Sequence, residues 1–109
     1  MTIFTAICTI LFALLTGWTR AEYVDKMVEV YETKTGQEIV VNDCPFIDAQ
    51  DYPQVCKARA IEITAGTTET TFSPSEKLEP YQAFIFTGKT MMVLQNWDDL
   101  QEHQRAFVE

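Results

Sequence analysis

Residues 81–94, YQAFIFTGKTMMVL, carry the reading on which the fold class turns. Two apolar runs, 81–86 and 90–94, flank Thr87, Gly88 and Lys89. Aromatic and β-branched residues favour strands, and a short glycine-containing spacer between two such runs is a hairpin signal. The segment therefore predicts a pair of antiparallel strands.

Working outward, the same reading extends upstream. Residues 58–65 alternate, with Ile61, Ile63 and Ala65 on one face and Glu62 and Thr64 on the other. Gly66 offers a turn into the Thr-rich run 67–72, and QEIVVN at 37–42 is a further short β-branched run. SPSEKLEP, 73–80, reads as a loop through its prolines and charges. Downstream, Asn96 is a fair N-cap, and Asp98 and Asp99 suit a first helical turn. Trp97, Leu100, Gln104 and Phe107 then mark one face of a short C-terminal helix. The order predicts an α+β fold: a long N-terminal helix, a small, mostly antiparallel sheet of about four to five strands, and a short C-terminal helix.

The N-terminal helix is expected to be apolar first and amphipathic later. Residues 3–18, IFTAICTILFALLTGW, carry no charge. At the helical rise they span roughly 24 Å, short for a bilayer core but reachable with Trp18 at the interface. Val24, Met27, Val28 and Tyr31 then fall at i, i+3, i+4 and i+7, with Gly36 placed to end the helix. No breaker lies between Trp18 and Thr35, so both segments read as one continuous helix.

This gives two roles for residues 1–21, ahead of an acidic domain at 22–109. The first is an uncleaved membrane anchor. The second is a secretory signal, with Thr19 and Ala21 as the small residues before a cut at Glu22, although no Lys or Arg precedes the apolar run. Arg20 and Lys26, which follow that run, favour a cytoplasmic domain by charge. The cysteines favour the opposite side.

Cys44 and Cys56 bracket CPFIDAQDYPQVC, a spacing and composition suited to a disulfide in a small exported domain. Cys8, inside the apolar run, reads as a small hydrophobe. The bridged loop is a candidate contact surface, because Pro45 and Pro53 restrict it and it carries Phe46, Ile47, Asp48, Asp51 and Tyr52. In the alternative, Phe46 and Ile47 fold back onto the core. Asp43, Asp48 and Asp51 lack the spacing of a calcium loop.

Sixteen acidic residues against eight basic ones give a net charge of −8, which disfavours nucleic acid as a partner. His103, beside Glu102, is the one candidate base, and it reads as a solvated residue. With a single histidine, no Cys-x-x-Cys pair and scattered glycines, no catalytic residue, metal, cofactor or small-molecule substrate is expected. The function these features point to is non-enzymatic. It is a single-pass membrane-anchored small subunit or accessory protein, with its domain in the periplasm or extracellular space and other protein subunits as partners. The alternative is a secreted binding or inhibitor protein released by cleavage after Ala21.

Overall fold

The computed structural model describes residues 2–108, with side chains placed from Thr2 to Glu102. It contains four helices: α1 Ile3–Thr16, α2 Arg20–Thr35, α3 Pro53–Ala60 and α4 Pro80–Val108. Among the described residues there is no sheet, and a single isolated antiparallel bridge joins Thr19 to Lys77. The α+β expectation is therefore corrected to an all-helical fold.

The largest correction lies in residues 81–94, which are one helix. Gln82, Ala83, Phe86, Thr87, Thr90 and Leu94 are buried. Their spacing of one, three and four keeps them on one face of a 3.6-residue helix. Tyr81, Phe84, Ile85 and Met92 face outward. Gly88 makes no turn, and nothing lies within 4 Å of where its Cβ would be. A mid-helix glycine costs about 1 kcal/mol relative to alanine, and burial of the opposite face outweighs it. Pro80 opens the helix without loss, since its missing N–H would have had no partner there. Gln82 Oε1 accepts the Glu79 N–H at 2.9 Å. The helix expected from Asn96 is not a separate element, but the continuation of α4.

The other expected strands fail for local reasons. In 58–65, the chain is the end of α3 followed by Glu62 at φ 65°, so the alternating face is broken; only Ile63 of its three apolar residues is fully buried. Residues 67–72 form a loop closed on itself by hydroxyls, with Thr67 and Thr68 N–H both donating to Thr71 O. In 37–42, Ile39 is buried and its N–H donates to Glu32 Oε2 at 2.9 Å, which takes the place of a ladder bond.

The continuous N-terminal helix is also corrected. Gly17 adopts φ 73°, the left-handed conformation that ends α1, and the Trp18 N–H donates to Ala13 O at 3.1 Å. Thr19 then starts α2 with a capping box: its hydroxyl accepts the Glu22 N–H, and the Glu22 carboxylate accepts the Thr19 N–H. At 14 residues, α1 is roughly 21 Å long. No described helix is long and apolar enough to cross a membrane.

Helix α2 is central. It packs on α3 and on α4, and α1 lies along α4. The stripe read from the sequence is buried: Val24, Met27 and Val28, joined by Tyr23. The loops contribute Phe46, Ile63, Phe72 and Leu78 to the same core. Tyr23 spans the layers, and its hydroxyl is hydrogen-bonded to the Thr87 hydroxyl of α4. By contrast, α1 buries only Ala6, Ile10 and Ala13, and leaves Ile3, Phe4, Leu11, Phe12 and Leu15 exposed.

Candidate functional site

Residues 18–21 enter α2 pinned to the loop before α4. The Arg20 N–H donates to Glu76 O at 2.9 Å, Ala21 N–H to Pro74 O at 3.1 Å, and Leu78 N–H to Trp18 O at 2.9 Å. This clamp carries the Arg20 side chain into the interior, where only 4% of it is exposed. Its guanidinium carbon lies 4.6 Å from the Phe72 ring centroid and 5.3 Å from that of Phe86, within cation–π range of both. Nε donates to Phe72 O at 2.9 Å. Burial draws the Arg20 pKa down, against the opposing pull of Glu76, Tyr81 and Asp48. An arginine nonetheless stays protonated in a protein.

Arg20 forms one wall of a cleft of about 300 Å³, with Thr64, Gly66, Tyr81, Phe86 and Lys89 among the other walls. Gly66 is required where it stands. Its φ is 88°, and a Cβ would lie 2.5 Å from the Phe46 ring. The Gly66 N–H donates to the Thr64 hydroxyl at 3.0 Å, which holds this loop against the cleft.

Asp48 lies within electrostatic reach of the guanidinium. Its Oδ1 accepts the Phe72 N–H and its Oδ2 the Ser73 N–H, each at 2.9 Å. Desolvation by its neighbours pushes the carboxyl of Asp48, an exposed residue, up. The N–H groups of Phe72, Ser73 and Asp48, with the charge of Arg20, outweigh this and hold it below its ordinary value. A depressed native pKa stabilises the fold above the unfolded-state value near about 4, and that stability is lost as pH falls through the native value. Asp48→Asn is therefore expected to destabilise the protein at about pH 6, with the gap to wild type closing below about pH 4. Urea unfolding across that range measures it, and a gap independent of pH would show that the charge of Asp48 does not matter.

The residues singled out in the loop do not form one surface. Cys44 and Cys56 are joined, with Cα atoms 5.3 Å apart, and the bond is compatible with an extracellular location. Phe46 is fully buried, its ring centroid 5.8 Å from that of Phe72, so it serves the core rather than the contact surface. Ile47 is 73% exposed. Asp48 is turned to the backbone of Phe72 and Ser73, while Asp51 and Tyr52 line a shallow groove against Ala21 and Asp25 of α2. Cys8 is a free thiol exposed on α1. His103 belongs to α4, and its side chain lies outside the described residues. Among the described residues, no group of three or more His, Cys, Asp or Glu side chains could hold a metal ion.

Arg20 and Lys89 were not among the residues singled out from the sequence, where Arg20 counted only as a charge flanking an apolar run. Its partners Phe72 and Phe86 are 52 and 66 positions away, and no local pattern links them.

No protein-family model, curated protein or solved structure matches this chain.

Proposed function

We propose that this is an exported, disulfide-stapled binding protein that acts by contact with other proteins and performs no catalysis. The observation that carries the reading is the outward face of α4. Tyr81, Phe84, Ile85 and Met92 lie at i, i+3, i+4 and i+11, all exposed, on a helix whose opposite face is core. Aromatic and methionine side chains arranged in this way are characteristic of the centres of protein interfaces.

Export is supported by α1. Its 14 apolar-rich residues match the length of the apolar region of a secretory signal better than they match a span. The staple at Cys44–Cys56 suits the compartment reached by that route. The clamp at residues 18–21 bears on where the signal would end. A cut before Glu22 removes Arg20 and every bond that residues 18–21 make to the 74–78 loop. A cut between Gly17 and Trp18 leaves them all.

Intact-mass measurement without reductant on protein recovered from the medium tests export. The expected product begins at Trp18 and is about 2 Da lighter than its reduced form. Full-length chain with free thiols, found only inside cells, would sink export. For contact, a photoreactive amino acid at Phe84 is compared with one at Glu69, which is also exposed. Crosslinks from position 84 alone support the α4 face, and equal yields from both sites would remove it.

A further inference from the structure

The Arg20 cleft has a feature that protein contact does not explain. Arg20 is 96% buried by the exposure given above, and a cation so deep in a protein is normally paired with a carboxylate. Here it is not. None of the salt bridges among the described residues involves it, and its only side-chain hydrogen bond among them is the one from Nε to Phe72 O. Asp48 and Glu76 act on Arg20 only through their charge: each Asp48 oxygen accepts a backbone N–H, and Glu76 is exposed. The guanidinium is held by two aromatic rings and one backbone acceptor; its two terminal nitrogens make no hydrogen bond among the described residues and are not sealed from solvent, so their N–H donors open to the cleft.

The lining of the cleft offers groups complementary both to an anion and to an apolar group. Lys89 adds a second cation, and Thr64 and Tyr81 add hydroxyls. Phe86 and Ile85 supply apolar surface. A fixed guanidinium fork matches the two oxygens of a carboxylate, and the ordering entropy is already spent because the side chain is packed. A cleft of about 300 Å³ lies at the small end of ligand sites.

We propose that the cleft between Arg20 and Lys89 binds a carboxylate carried on an apolar or aromatic group. The site extends beyond the protein-contact reading and does not depend on export, so long as residues 18–21 remain in the chain.

The test is a titration of the ¹⁵N-labelled full chain, disulfide intact, with phenylacetate, followed by NMR. The expected result is saturable shifts at the Arg20 Nε–H and at the amides of Gly66 and Thr67, with a dissociation constant of roughly millimolar order. Phenylacetamide, which keeps the ring and loses the charge, should produce none. Lys89→Gln, at a partly exposed position, should weaken binding about fivefold while leaving the rest of the spectrum in place. Arg20→Gln should abolish it, and because that variant may not fold, the Lys89 result stands independently. A dipeptide ending in phenylalanine, as free acid and as amide, distinguishes a chain terminus from a small acid. Tighter binding of the free dipeptide acid than of phenylacetate assigns the ligand to a chain terminus, and the reverse assigns it to a small acid. Absence of shifts with both acids, equal shifts with phenylacetamide, or equal shifts with inorganic phosphate would each overturn the assignment.

Discussion

Replacing Phe72 with alanine is expected to cost about 3–5 kcal/mol of stability, the usual range for a fully buried aromatic. The site is worse than average for such a deletion. Phe72 is 0% exposed, its ring lies between Phe46 at 5.8 Å and Phe86 at 6.3 Å, and Arg20 sits over it at 4.6 Å. Its backbone is also held on both sides, by Asp48 at the N–H and by Arg20 at the carbonyl, so the neighbours cannot easily collapse into the void. The deletion leaves a cavity and removes one of the two aromatic faces that hold a buried charge. In urea the midpoint should fall by roughly 1–5 M, given the slopes usual for small domains. Ile47→Ala, at a position 73% exposed, is the matched control and should move it by less than about 0.5 kcal/mol. A Phe72 variant as stable as that control would mean that the Phe46–Phe72–Phe86 stack is not the core.

Reduction of Cys44–Cys56 is expected to cost about 3 kcal/mol, the loop-closure value for a ring of this size. The bridge ties the segment after α2 to α3 across 12 positions that contain no other helix. The segment between is held by the Gln50 side chain on Phe46 O, the Ile47 N–H on Thr70 O and the two N–H groups that Asp48 accepts, and the bridge adds to these. A Cys44→Ser, Cys56→Ser double variant should show the loss as a lower midpoint in urea with the same helical circular dichroism, because the helices do not depend on the bridge for their own hydrogen bonds. A midpoint unchanged by reduction would show that the loop is already ordered by its contacts. The total stability of a domain this size is about 5–15 kcal/mol, so either change could leave the protein partly unfolded at body temperature.

Several elements were legible from local pattern. The α2 stripe at Val24, Met27 and Val28 is buried as its spacing implies, Gly36 ends that helix at φ 68°, and the two cysteines are bonded. Each rests on an interaction between residues close in sequence: a periodicity, a cap, a short covalent ring. The hairpin at 81–94 failed because composition outweighed period. Its aromatics favour strands when counted, but Ala83, Phe86, Thr87, Thr90 and Leu94 already carry the helical repeat. The break at Gly17 was missed because a continuous apolar run hides a glycine whose left-handed conformation becomes visible only when the chain turns there.

The candidate site was the least legible part, and for a different reason. Asp48 was noticed as a loop acid, yet its role is to hold the backbone of Phe72 and Ser73, 24 and 25 positions away. For Phe46 the sequence allows either a contact surface or a place on the core; it is buried, the floor on which Gly66 rests.

Charge, cysteine chemistry, and where helices carry an apolar stripe are properties of neighbouring residues, and the order of amino acids settles them directly. Whether a stripe meets a helix or a strand, and whether an arginine is surface or core, depends on which distant groups remove it from water. Arg20 shows the difference most plainly: desolvation and two aromatic rings from elsewhere in the chain turned a flanking charge into the wall of a cleft.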